Sequence, residues 1–330
     1  MKKETLTLSV LCLILLAGCS KTQNTTPVIH KGTIAQSLVS TCPTKIVDVE
    51  NIAIFPPTNS WNTDISDSAL EPNSAKMIAQ INTSKLKADF GSGLWDGAPI
   101  GIPFVVVCGS QPKVSVTFRA NAYDGNYGSE SDKGPYAIPY YAPIEGNGQG
   151  DSHVIAVDKD NLILYELYNA SKSKGTWQAS SGAIFDMKTN NLRPLGWTSA
   201  DAAGLPVFPG LVRYDEILRG VINHAIRFTL SSSDVRPAYI YPARHKVNST
   251  GGQYGLPFGA KLRLKASFNI NPYPPHIRII LTAMKKYGII LADIGSNMYF
   301  SGAPDSRWNN DELQKIGTVT AANFEVVKFN

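Results

Sequence analysis

Turn-forming residues interrupt this chain so often that long regular elements have little room. After residue 40, short apolar or alternating runs recur between clusters of Gly, Pro, Asn and Asp, the spacing of a β-rich domain. Gly101 to Val107, Val114 to Phe118, Ser152 to Asp158, Leu162 to Asn169, Gly182 to Met187, His224 to Leu230, Ala238 to Tyr241 and Lys261 to Ala266 read as strands. In the second of these, Val114, Val116 and Phe118 alternate with Ser115 and Thr117, which puts the apolar side chains on one face. Helical signals are few. Pro274 to Tyr287 carries an apolar stripe of Ile277, Ile280, Leu281, Met284 and Tyr287, with Lys285 and Lys286 at its end and Gly288 as its stop. Ala75 to Ile81 reads as a short helix capped by Asn73 or Ser74, and Thr198 to Gly204 as one capped helical turn. Ile289 to Asp293 and Asn297 to Ser301 are expected to form a hairpin. These elements predict a mainly β (α+β) fold, a β-sandwich or jelly-roll-like single domain with one or two packed helices.

The N-terminus carries the sharpest signal. Met1-Lys2-Lys3 is basic, Leu6 to Leu16 is apolar apart from Thr7 and Ser9, and Leu16-Ala17-Gly18-Cys19 closes the run with small residues ahead of a cysteine. That quartet resembles the lipobox of bacterial lipoproteins. The resemblance implies cleavage before Cys19, acylation (palmitate among the acyl chains) of Cys19 and a membrane partner held through lipid. Ser20 in place of Asp implies sorting to the outer membrane in a Gram-negative host. An ordinary secretory signal and a transmembrane anchor are the competing readings, although the apolar run is short for a permanent span. The expected organisation is a lipoprotein signal peptide over 1–18, a lipidated flexible tether over 19–40 and a single β-rich globular domain over 41–330.

Along the body, Ser60-Trp61-Asn62-Thr63, Gly134-Pro135-Tyr136, Pro143-Ile144-Glu145-Gly146, Ser181 to Asp186, Gly196 to Pro206 and Ser301 to Asp305 resemble a family of exported bacterial proteins. The resemblance covers residues 50 to 328. It implies an exported location, and it carries no activity and no site residue with it.

Export agrees with the cysteines. Cys12 leaves with the signal and Cys19 takes lipid, so Cys42 and Cys108 remain, and an oxidising compartment favours a disulfide between them over two buried thiols. The net charge of +5 comes from basic residues scattered among acids, which excludes a nucleic-acid-binding stripe. A monomer without cofactors is expected.

Chemistry is expected where the long irregular segment Asn121 to Gly150, rich in tyrosine, meets the hairpin of Ser152 to Asp158 and Leu162 to Asn169. Glu166 sits among Leu162-Ile163-Leu164-Tyr165 and Leu167-Tyr168, and an acid so placed must be paired, raised in pKa or facing a cleft. A two-residue hairpin loop sets His153 opposite Glu166, whereas a three-residue loop can send them to opposite faces. Glu166, His153 and Asp151 are the catalytic candidates, with Asp186 and Asp201 as further acids for paired-carboxylate glycoside hydrolysis. Tyr136, Tyr140, Tyr141, Glu145, His224, Arg244 and His245 are the binding candidates. A polysaccharide lyase would instead draw on Tyr165, His153, Arg213, Arg227 or Arg244. The five histidines fit no metal motif, and Ser199 lacks the glycines of a nucleophile elbow and reads as a helix cap. Of Trp61, Trp95, Trp177, Trp197 and Trp308, which can stack on sugars, at least three are expected in the core. The leading expectation is an envelope-attached protein that engages a polysaccharide or similar polymer, with hydrolysis of that polymer left open. The alternative is a non-catalytic structural or adhesive lipoprotein, in which His153, His224 and His245 are scattered.

Overall fold

The computed structural model describes residues 52–120 and 127–329, all within one compact unit, Thr41–Asn330. Cys19 and Cys42 lie outside the described residues, and so does the proposed disulfide; Cys108 is buried beside the strand Val105–Val107. Among the described residues no helix is long and apolar enough to cross a membrane.

Strand dominates, as the short apolar runs predict. A four-stranded sheet orders Ser181–Asp186, Ile163–Tyr168, Val154–Asp158 and Val105–Val107. Most of its residues are apolar, on both faces, the pattern of a sheet covered on both sides. Val106, Ile155, Val157, Leu164 and Phe185 pack into the larger core, while Val105, Val107, Val154, Ala156, Tyr165 and Leu167 pack into a second core. The second core also takes Val116, Trp177 and Ala179 from the three-stranded sheet of Val116–Phe118, Thr176–Ala179 and Ser171–Ser173. The larger core takes the six-stranded sheet, ordered Lys87–Asp89, Tyr299–Ser301, Ile226–Leu230, Ile289–Ile294, Lys261–Leu264 and Phe324–Val326. The sheets are mixed: Ile226–Leu230 runs parallel to Ile289–Ile294, and Lys87–Asp89 parallel to Tyr299–Ser301.

The helix Pro275–Lys286 buries Ile277, Ile280, Leu281, Ala283 and Met284, the stripe that its sequence periodicity predicts. Gly288 follows at φ 75°, and a Cβ there would lie 2.5 Å from the Leu262 carbonyl oxygen, so this stop requires glycine. Ser74–Ile81 forms as expected, and two further short helices, Tyr214–Arg219 and Asn310–Gln314, complete the set of α-helices among the described residues.

Three local expectations are corrected. Ile289–Ile294 and Tyr299–Ser301 do not pair as a hairpin, because Ile226–Leu230 lies between them and bonds to both. Residues 198–204 form no helical turn: Ser199 Oγ accepts from the Asp201 N–H as a cap would, but the Asp201 carboxylate is engaged by Arg227. The hairpin around residue 160 takes neither expected register. Asp158 pairs with Ile163 across a four-residue connection, Ile155 stands opposite Glu166, and Leu162 turns the chain at φ 55°.

Candidate functional site: an acid-lined groove

One groove of about 1130 Å³ runs between the edge of the six-stranded sheet and the turns that precede the four-stranded sheet. Asp89 comes from the sheet edge, Glu145 and Asp151 from the opposite turns, and Trp95 and Tyr299 add aromatic surface. Trp95 is 78% exposed, far more than a core residue would be. It is held out by a hairpin in which Trp95 pairs with Ala98 across Asp96 and Gly97, at φ 50° and 79°. Two consecutive positive φ angles are what a type I′ turn needs, and Asp-Gly supplies them at low strain. The Asn147 side chain donates to the Gly97 carbonyl at 2.9 Å, tying this hairpin to the Glu145 turn. On the sheet side, Lys87 Nζ donates to Tyr299 Oη at 2.8 Å.

Glu145 is fixed by His153 at three points. Its backbone N–H donates to the His153 carbonyl at 2.9 Å, its Oε2 accepts from the His153 N–H at 3.2 Å, and the same oxygen lies 2.5 Å from His153 Nδ1. His153 Nε2 lies 2.8 Å from the Ala200 carbonyl. Both ring nitrogens thus face acceptors, so the buried ring is an imidazolium. Burial opposes that charge, but Glu145 overrides it and lifts the His153 pKa to about 10. The converse holds for Glu145: burial pushes its carboxyl up, and His153, helped by Arg227, brings it below its usual range. Asp89 is different. It keeps an open face to the groove, yet the protein packed around it raises its carboxyl, and the charge of Glu145 raises it further against the opposing pull of Arg227 and Lys87. The groove therefore presents one carboxyl raised by its surroundings and one held below its usual range.

Behind it lies a closed ion network. Arg227, 4% exposed, grips Asp201 through Nε at 2.9 Å and Nη2 at 3.0 Å, donates to Ser301 Oγ at 2.6 Å and lies 3.6 Å from Asp293. Burial first, then the neighbouring Asp201 carboxylate, holds the Asp293 carboxyl well above the usual range.

The sequence candidates divide accordingly. Glu145 and Asp151 line the groove, and His153 stands beneath it, reaching it through Glu145. Glu166 does not face the groove. It is fully buried, and its carboxylate accepts from the Val207 N–H at 2.9 Å and the Phe208 N–H at 2.8 Å. Burial raises it to about 7 against those donors. Tyr136 is a core residue whose hydroxyl donates to the Asp132 carbonyl. Tyr140 and Tyr141 are exposed outside the groove lining, with Tyr140 beside Lys172 and Trp177. His224 is buried between Glu216 and the Ala225 carbonyl, Arg244 donates to the Arg193 carbonyl, and His245 meets the Ala202 carbonyl and lies near Glu130. The three histidines do not converge. Each is absorbed by a local acceptor, as hydrogen-bonded structural histidines are.

Asp89 was not among the sequence candidates, nor was Arg227 as the partner of Asp201 and Asp293. Trp95-Asp96-Gly97-Ala98 did carry a hairpin signal, the Asp-Gly pair. Trp61, Trp177 and Trp308 fill the core as expected. Among the described residues no group of three or more His, Cys, Asp or Glu is arranged to hold a metal ion. Compared with protein-family models, curated proteins and solved structures, the chain matches none.

Proposed function

We propose that this is a lipid-anchored envelope protein, held through Cys19 and braced by a Cys42–Cys108 disulfide, whose groove engages a polysaccharide and cleaves it. The observation that carries the reading is the joint placement of Asp89 and Glu145 on one groove, beside the outward-facing Trp95. Glycosidic hydrolysis needs a carboxylic acid to protonate the leaving oxygen and an ionised carboxylate across the bond. Asp89, with its raised carboxyl, takes the first role and Glu145, kept ionised by His153, the second. Trp95 and Tyr299 offer faces on which sugar rings stack. His153 is a positioning residue in this scheme and Glu166 has no part in it.

The test is a screen of the protein against envelope glycans, peptidoglycan included, followed by Asp89→Asn and Glu145→Gln on whichever is cleaved. Product release should fall by about a hundredfold or more in each variant, with binding retained in Asp89→Asn. The non-catalytic adhesive reading is favoured by the scatter of His153, His224 and His245. It predicts binding without product for the wild type, and that result removes the hydrolytic assignment.

A further inference from the structure

A second cavity, of about 400 Å³, shares no lining residue with the groove. Its walls include Ile65, Ile240 and Phe329, and its polar groups include Lys261 and Ser60, while no Asp or Glu lines it. Lys261 is the first residue of the strand Lys261–Leu264. Its ammonium donates to the Ser60 carbonyl, which leaves it two further hydrogens, and it has no ion pair among the described residues. The Ser60 side chain is buried, with the residue 6% exposed, and its Oγ has no hydrogen-bond partner. The Lys261 ammonium has one protein acceptor for its three hydrogens, and a partly buried cation gains from further acceptors, so the cavity suits a ligand that brings one. The charge required is negative, and one buried ammonium balances one negative charge. Ile65, Ile240, Val327 and Phe329 add apolar surface beside the polar side chains of Thr63, Ser68 and Tyr241, and the volume falls within the range of small-molecule sites.

We propose that this cavity binds a small organic carboxylate, its anionic end meeting the Lys261 ammonium, its apolar body lying against Ile65, Ile240 and Phe329. Lys328, exposed at the cavity, adds positive charge that draws the anion in. The site stands independently of the groove and of any reaction there.

Benzoate is a suitable probe, with benzyl alcohol as its uncharged match, titrated calorimetrically into the full chain. Saturable binding of benzoate and none of the alcohol is expected. Lys261→Met should weaken benzoate by about tenfold to a hundredfold. The wild type supplies a check that needs no variant. Burial has brought the Lys261 ammonium down to about 8, and the other titratable groups lining the cavity are Lys328 and Tyr241. Benzoate affinity should therefore be full near pH 6.5 and fall as the pH passes about 8 to 9. Absence of saturable binding by the wild type, equal affinity for the alcohol, or an affinity unchanged across that pH range overturns the proposal. So does undiminished binding by a folded Lys261→Met protein, which would leave Lys261 as a strut for the Ser60 carbonyl alone.

Discussion

Asp89 and Glu166 are both carboxyl groups lifted by burial, but one opens on a groove and the other is sealed against two backbone N–H groups. A raised pKa alone therefore does not distinguish an acid that can meet a substrate from one that fastens a chain segment. Solvent access and unspent hydrogen-bonding capacity separate them. Glu166 has its acceptors engaged at the start of the turn Phe208–Gly210, whereas Asp89 presents its carboxyl to open space. The same contrast extends to their surroundings: the groove wall is acid-rich and open, and the Arg227 network behind it is closed.

The sharpest way to break this contrast is Arg227→Met. It leaves Asp201 buried without its cation, and a loss of about 4 kcal/mol in urea unfolding is expected; a loss below about 1 kcal/mol would show that the closed network is not the more stability-critical of the two regions. Next comes the pH dependence of stability. The folded-state pKa of His153, about 10, lies above its ordinary value of 6.5. Its contribution is therefore complete below about pH 6.5 and disappears as the pH rises through about 10, a fall of several kcal/mol. His153→Gln should flatten that part of the wild-type profile, and an equally steep variant would place the titration elsewhere. Glu166→Ala strips the acceptor from Val207 and Phe208 and should reduce stability by about 2 kcal/mol, while leaving glycan turnover by the folded fraction intact; lost turnover would return Glu166 to the site. Trp95→Ala should lower glycan affinity by about tenfold with stability unchanged within about 0.5 kcal/mol, measured by titration and melting in parallel. Smallest of all, Tyr140→Ala should alter glycan affinity by no more than about twofold, since Tyr140 lies off the groove.

What the sequence made legible follows from local physics. The helix Pro275–Lys286 and the strand Ser181–Asp186 appear almost where their periodicity puts them, because an apolar stripe or a run of apolar residues between turns needs no knowledge of its partner. Ser301 and Ile289 misled for the opposite reason: adjacency in sequence suggests a hairpin, and only the tertiary arrangement inserts Ile226–Leu230 between their strands. The groove was half legible. Glu145 and Asp151 belong to the long irregular segment and its junction with the hairpin, where function was expected. Asp89 lies on a three-residue edge strand more than fifty residues upstream, and nothing local to it indicates that Glu145 will face it. Glu166 stands out in the sequence as an acid in an apolar strand, but a carboxylate satisfied by backbone N–H groups reads the same in sequence as one awaiting a substrate.

The middle position of the four-stranded sheet bears on how such a chain can change over time. Because Ile163–Tyr168 feeds one core through Leu164 and the other through Tyr165 and Leu167, a single inserted residue would exchange the occupants of both at once. A residue added in a turn outside that sheet, such as the turn at Glu145, leaves the strand register untouched. A change in chain length is therefore least disruptive at the groove rim and most disruptive in the sheet behind it.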